Sequence, residues 1–318
     1  MVVYSFVLSL LSYDRLSRKP ILFKSFTGLT VQQFDDIYNT EITKRYKKYE
    51  IQRLSSFKRK DVRERRVGAG RPFKLDVKDR FIMLLVYYRL YITYTLAGFL
   101  FDLDQSNICR DIQKIEGLLK QCLPIPKKIC NIAKRLKTLE EVEHYFPGFI
   151  AFIDSTEQQI PRPVDNERRQ KEYYSGKKKR HTAVKIQLMV NNHGFIIHKT
   201  AHKKGRRHDY DIYKENHPLV PKQVVNVFDL GYLGAEKDFP EQLSALPYKK
   251  KRNQELSEEE KEYNQYHSKK RIVIEHTICR LKKYRIMSEV FRNRLRKYNR
   301  ISDIVSGLVN YKIMNIHH

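Results

Sequence analysis

The chain has 318 residues, enough for two domains of ordinary size. Its 63 Lys and Arg against 36 Asp and Glu leave a formal net charge of +27, which selects a polyanionic partner, nucleic acid ahead of a membrane surface or a ribosome-like assembly. The four cysteines form no C-x-x-C pair and no secreted framework, and no run reaches the ~20 apolar residues of a membrane helix, so zinc ribbons, disulfide scaffolds and spanning segments are excluded.

Residues Met1–Leu11 are apolar but lack a basic leader and a small-residue cleavage site, so they are expected to pack into a core as a helix or strand. Residues 1–69 are assigned to a helical segment ending in a basic linker. That linker, Lys58 to Arg66 and then Val67-Gly-Ala-Gly-Arg-Pro72, has the charge and glycines of an arm that could lie along a DNA groove.

From residue 70 to 123 the apolar spacing predicts a helical domain. Asp76 is placed to cap a helix to Leu90 with Val77, Phe81, Leu84, Leu85 and Tyr88 on its inner stripe. A second helix spans about Thr95 to Phe101. After the turn Asp102-Leu103-Asp104, a third runs from Gln105 to about Lys120 on Ile108, Ile112, Ile115 and Leu119. Two helices about a tight turn suggest a helix-turn-helix, in which the start of the second helix faces base edges. Gln105, Ser106, Asn107 and Arg110 are then the DNA-reading residues.

Pro124, Pro126 and Pro147-Gly148 mark 124–148 as a connector, leaving 149–318 for an α/β domain. Phe149–Asp154 and Val224–Asp229 read as buried strands that end on an aspartate, followed at once by Ser155-Thr156 and by Gly231 and Gly234. Between them, His181–Val190 and Phe195–Ala201 flank the turn Asn191–Gly194 as a hairpin, and Asp209–Asn216 forms a short helix. Ser257-Glu-Glu-Glu260 is a capping box for a helix to about Tyr284. On that helix Ser268, Arg271, Glu275, Cys279 and Lys282 share a face, Ile274, Ile278 and Leu281 pack the other side, and Glu275 stands at an apolar boundary.

The order β-β-β-α-β-α predicts a mixed α/β (α+β) architecture: an N-terminal all-α helix-turn-helix domain followed by a ribonuclease H-like mixed sheet. Acids at the carboxyl ends of neighbouring strands, joined by one from a late helix, form a site suited to Mg²⁺ or Mn²⁺. Two ions held by Asp154, Asp229 and Glu275, with Asp154 bridging, would serve in-line displacement at phosphorus. A cation near Glu275 is required, and either Arg271 or a metal ion supplies it. Asp209 and Asp211 are explained by helix capping, and His198 and His202 by strand positions that share no metal face. Lys177–Arg180 and Lys249–Arg252 are basic tracts that either form solvated loops or line a nucleic-acid channel.

The segments Asp154-Ser-Thr156, Tyr174 to Thr182, Gly205-Arg-Arg-His-Asp209, Asp229-Leu-Gly-Tyr-Leu-Gly234 and Arg271 to Lys282 resemble the DDE transposases of the IS-five insertion-sequence superfamily and Harbinger-like endonucleases. The last matches the pattern R-x3-E-x6-K through Arg271, Glu275 and Lys282, with Ser268 where the wider superfamily often has tyrosine. The resemblance implies Asp154, Asp229 and Glu275 as catalytic metal ligands, with Arg271 and Lys282 on the terminal phosphates. It further implies binding of double-stranded DNA at terminal inverted repeats and target sites, strand cleavage and transfer, a homodimer or larger synaptic assembly, and a bacterial cytoplasmic, nucleoid-associated setting. Two other readings stay open at this point: a non-catalytic DNA-binding derivative of such an enzyme, and a structure-specific nuclease.

Overall fold

The computed structural model describes residues 9–56, 73–164, 167–176, 181–218, 220–252 and 254–315. Most of the apolar Met1–Leu11 segment, the basic linker through Pro72 and the tract Lys177–Arg180 lie outside these. The chain forms two compact units, Met1–Leu123 with Tyr284–Ile286, and Pro124–Lys283 with Met287–His318.

The first unit is helical: α1 (Tyr13–Ser17), α2 (Pro20–Thr27), α3 (Val31–Ile37), α4 (Thr43–Ser56), α5 (Val77–Leu90), α6 (Tyr94–Phe101) and α7 (Gln105–Cys122). Asp76 caps α5 by accepting from the Asp79 N–H at 2.7 Å. Helix α5 is buried on nearly every side, from Arg80 through Tyr88, rather than along the single stripe its spacing suggested. A helix surrounded by other helices has no solvent face to keep polar.

Two buried polar contacts tie α5 to α7. The Arg80 guanidinium meets Asp111 at 2.8 Å, and the Tyr88 hydroxyl donates to Glu116 at 2.9 Å. Between α6 and α7 the backbone turns through Asp102 in the left-handed region (φ 50°). A Cβ at Gly98 would meet the Leu103 carbonyl at 2.5 Å, so the tightness of this turn depends on that glycine.

The second unit opens with α8 (Pro126–Ala133) and α9 (Leu139–Tyr145), so the segment 124–148 is helical and contributes Ile129, Ala133, Val142 and Phe146 to the core. Then follow β1 (Ile150–Gln159), α10 (Glu167–Tyr173), β2 (Tyr174–Ser175), β3 (His181–Asn191), β4 (Ile196–Lys199), β5 (Lys203–Lys204), α11 (Asp209–Asn216), β6 (Val225–Val227), α12 (Ala235–Asp238), β7 (Ser244–Ala245), α13 (Glu258–Lys282) and α14 (Tyr298–Met314). The sheet runs β2-β3-β1-β6-β7, with β4 and β5 also on β3. Strands β1, β3 and β4 are antiparallel and β6 and β7 run parallel to β1, which gives the mixed sheet that the order of elements predicts.

Strand β1 does not end at Asp154. Its antiparallel pairing with β3 continues to Gln159, opposite Ala183, while its parallel pairing with β6 stops at Phe152, opposite Val227. Asp154 therefore lies two residues past the point where β6 leaves the ladder. Ser155-Thr156 looked like a loop signal because polar residues are frequent in turns; here β3 supplies the missing hydrogen-bond partners. Strand β6 is correspondingly short, and Asp229 lies beyond it as the cap of the turn Leu230–Tyr232.

Helix α13 carries the predicted capping box, Ser257 with Glu260, and packs against β1. Two contacts clamp it. His267 lies 3.3 Å from the Ala245 carbonyl of β7, and the Thr277 hydroxyl donates to the Gly194 carbonyl at 3.0 Å in the β3–β4 turn. Gly194 has φ 78°, and a Cβ there would meet the Thr277 hydroxyl at 2.6 Å, so both conformation and contact require glycine. Arg271 lies between the two clamps.

Candidate active site

Asp154 and Asp229 come from neighbouring parallel strands, and each carboxylate is turned by its own backbone. The Ser155 N–H donates to Asp154 Oδ1 at 2.7 Å, and the Gly231 N–H donates to Asp229 Oδ1 at 2.8 Å. The second oxygens are left to meet a cation. Both Oδ2 atoms converge on one nitrogen, Nη2 of Arg271, at 3.4 Å from Asp154 and 3.9 Å from Asp229. The Arg271 side chain is 14 % exposed and Asp154 20 %. Arg271 Nε is buried and has no acceptor among the described residues.

Burial pushes the Asp154 carboxyl up to about 6. Arg271 and the Ser155 N–H oppose that rise, while the charges of Asp229 and Asp209 add to it. An acid that sheds its proton reluctantly is an acid in want of a cation.

A polar network lies beneath the pair. The Tyr232 hydroxyl, three residues beyond Asp229, sits 3.2 Å from the Ser155 hydroxyl beside Asp154. From β3, Gln187 Nε2 donates to Tyr232 Oη at 2.8 Å and to the Asp209 carbonyl at 3.0 Å. Tyr232 and Gln187 are both buried, and burial holds the tyrosine's pKa far above its ordinary value, so it remains a neutral hydroxyl. The network therefore joins the two aspartate loops to each other and to β3.

Asp209 is not explained by capping: His208 occupies the cap position of α11, and no side chain caps it. Asp209 instead meets Lys185 at 3.3 Å, and Lys185 also meets Glu157 at 3.2 Å and donates to the Arg207 carbonyl at 2.8 Å. Sequence reasoning passed over this buried cluster because Lys185 lies on a strand whose alternation gives no hint of a buried ammonium. His198 is half-buried, and its partial removal from water pushes its imidazole down to about 4, while His202 lies beside Asn299, so the pair forms no metal face. Lys249–Arg252 lies on an exposed loop.

Glu275 stands one helical turn beyond Arg271 and is exposed, as is its neighbour Ile272 at 41 %, while Ile274 and Leu281 are buried. No ion pair or hydrogen bond joins Glu275 to either aspartate among the described residues. Within the same residues, no group of three His, Cys, Asp or Glu side chains is already gathered as a metal cage. The donor chemistry nevertheless fits a hard divalent cation: two carboxylate oxygens aimed at one position, on a rim where further oxygens can come from water or substrate.

In the first unit, Gln105, Ser106, Asn107 and Arg110 are all exposed at the start of α7. Asp104 caps that helix through the Ser106 N–H at 2.8 Å, and Arg110 donates to Asn107 at 3.1 Å. The opposite face of α7, with Ile108, Ile112, Ile115 and Leu119, is buried. No helix among the described residues is long and apolar enough to cross a membrane.

Comparison with known proteins agrees with both halves of this picture. Residues 73–125 match the helix-turn-helix of DDE superfamily endonuclease, and residues 153–310 match DDE superfamily endonuclease itself. A protein of Microchaete diplosiphon described as a probable transposase for insertion sequence element IS702 is 34% identical over 246 residues, covering 77% of this chain and 83% of that one. No solved structure matches. With a helix-turn-helix in one unit and converging aspartates on a mixed sheet in the other, the chain belongs to the DDE superfamily of transposase endonucleases.

Proposed function

We propose that this protein is an insertion-sequence transposase that recognises terminal inverted repeats through the start of α7, cuts the DNA strand by metal-dependent hydrolysis, and joins the freed 3′-hydroxyl to target DNA. The observation that carries this reading is the convergence of Asp154 Oδ2 and Asp229 Oδ2 on a single cationic position. Mg²⁺ or Mn²⁺, two ions per site, would be held by Asp154 and Asp229 with Glu275 completing the set. Bound there, the ions supply an activated water or 3′-hydroxyl and stabilise the leaving oxygen.

The chain's own residues do the remainder. Arg271 balances the aspartate pair, and its buried Nε, without an acceptor among the described residues, suits it to take a DNA phosphate, to which a guanidinium donates in two parallel bonds. Lys282, further along the same helix, would hold the terminal phosphates with it. Asp154 and Asp229 act only as ligands, and no side chain serves as a covalent nucleophile. Two element ends must meet for joining, so a dimer or larger assembly would form on DNA, in a bacterial cytoplasm beside the nucleoid.

The test is nicking of end-containing duplex DNA by the full chain in Mg²⁺ or Mn²⁺. Wild type should nick. Asp154→Ala and Asp229→Ala should lose on the order of a thousandfold of that rate while binding the same DNA. Absence of nicking by folded wild-type protein sinks the reading.

A further inference from the structure

The catalytic unit holds a cavity of about 680 Å³ lined by Arg162, Glu167, Gln170, Lys171, Tyr174, Thr182 and Arg206. None of these belongs to the acidic site or to the network beneath it. Three cations face one carboxylate, and Lys171 and Arg206 enter no ion pair among the described residues. Such a lining attracts an anion, and the volume exceeds what a bare phosphate fills, falling within the ~300–1,000 Å³ of sites for small organic ligands.

The walls are fixed. Arg162 Nε and Nη2 both donate to Gln170 Oε1, at 2.9 and 2.7 Å, and Gln170 Nε2 donates to the Pro163 carbonyl at 2.8 Å, so the guanidinium is held in place. Lys204 meets Glu172 at 2.6 Å, binding the β5 loop to α10. Gly205 is wedged between two backbones: a Cβ there would meet the Ala183 and Tyr173 carbonyls at 2.7 Å each. Any side chain at that position would push the Arg206 loop away from the cavity.

Tyr174 gives the cavity a flat apolar face. Its neighbour Ser175 is buried and donates to Glu157 at 2.6 Å. Side chains alternate along a strand, so Tyr174 points the other way, and it is 45 % exposed. A duplex keeps its base faces stacked inside, so only an unpaired nucleotide can lay a base on this ring while its phosphates meet the arginines. Asp154 and Arg162 lie on one continuous stretch of chain, eight residues and no more than about 26 Å apart at ~3.3 Å per residue. A strand of several nucleotides spans that distance.

We propose that this cavity takes an unpaired nucleotide of the DNA strand leading away from the acidic pair, with its base on Tyr174, its phosphate on Arg162, Lys171 and Arg206, and Glu167 accepting from a base amine. The proposal deepens the reading of the protein as a DNA-cutting enzyme, and its test reads binding alone.

Full-length protein would be titrated with blunt duplex DNA and with the same duplex carrying a short unpaired tail. Wild type should bind the tailed DNA at least about fivefold more tightly, the lower end for one stacked base. Tyr174→Ala and Arg206→Gln should each erase that preference with blunt-duplex affinity and melting temperature kept, and Tyr174→Phe should retain it. Equal binding of both DNAs by wild type overturns the proposal, as does a Tyr174→Ala protein that still prefers the tail. Binding of free deoxyadenosine monophosphate that both variants weaken, without any tail preference, assigns the cavity to a free nucleotide and likewise overturns it. A tail preference that persists where metal-dependent nicking is absent upholds the cavity while the proposed reaction fails.

Discussion

The start of α7 and the Asp154–Asp229 pair both present polar groups from a buried scaffold, yet they are assembled over opposite ranges of the chain. Gln105, Ser106, Asn107 and Arg110 occupy two turns of one helix, exposed and held from behind by Ile108, Ile112 and the Arg80–Asp111 pair. Asp154 lies within β1, Asp229 in the turn just past β6 and Arg271 on a late helix, and only the pairing of β1 with β6 and the clamping of α13 bring them together. The first surface needs a rigid back and a solvated front. The second needs charges held close and partly out of water, where burial, with the Asp229 charge adding to it, raises the Asp154 carboxyl.

Breaking the back of α7 should have the largest effect. In Arg80→Met the Asp111 carboxylate is left buried without its cation, which should cost about 3–5 kcal/mol of stability, read by urea denaturation. Arg80→Met with Asp111→Leu should recover most of that loss, because the stranded charge is gone. A single variant as stable as wild type would mean that the pair does not brace the helix.

Asp154 should respond to pH in the sense opposite to an ordinary salt-bridged carboxylate. Asp154 is raised to about 6 by burial, so its contribution is fully present below the unfolded value near 4 and is lost as pH rises through 6. That amounts to roughly 3 kcal/mol. In chelator, Asp154→Asn should match wild type at pH 4 and exceed it by about that amount at pH 8. A difference that stays flat across this range would refute the dominance of burial at Asp154.

Loosening the link between the aspartate loops should act more gently. Tyr232→Phe keeps the ring in place and removes the hydroxyl that meets Ser155 and Gln187. Mn²⁺ affinity measured by calorimetry should fall about tenfold, the lower end for supporting groups of metal ligands, while the nicking rate at saturating metal remains near wild type. Unchanged affinity would show that the strand pairing alone sets the spacing of the acids.

The smallest effect belongs to the exposed face of α7. Arg110→Ala should weaken DNA binding by roughly 1 kcal/mol and lower the slope of log affinity against log salt by about 1 if the guanidinium contacts a phosphate. Loss confined to one DNA sequence would instead mark a base contact.

How far the sequence could be read follows the same division. The cap at Asp76, the capping box at Ser257, the helix beginning at Gln105 and the hairpin about Gly194 were all legible, because each depends on residues within a few positions of one another. The extension of β1 to Gln159 was not, since what keeps Ser155 and Thr156 in a strand is β3, some thirty residues away. The Lys185–Asp209–Glu157 cluster escaped notice for the same reason, as did Tyr232, whose hydroxyl matters only because Ser155 and Gln187 lie beside it.

The sequence by itself determined the kind of chemistry: a strongly basic chain, a polar helix start behind a tight turn, and acids following two apolar strands and lying within a capped helix. Those are properties of composition and short-range pattern, and they survive any rearrangement of the rest. The tertiary structure decided which charges meet. It turned both aspartates toward Arg271, left Glu275 exposed on the next turn, and opened a cationic cavity beside Tyr174. The physical reason is range: a cap or a turn is settled by its neighbours' hydrogen bonds, whereas the distance between two carboxylates depends on every strand and helix packed between them.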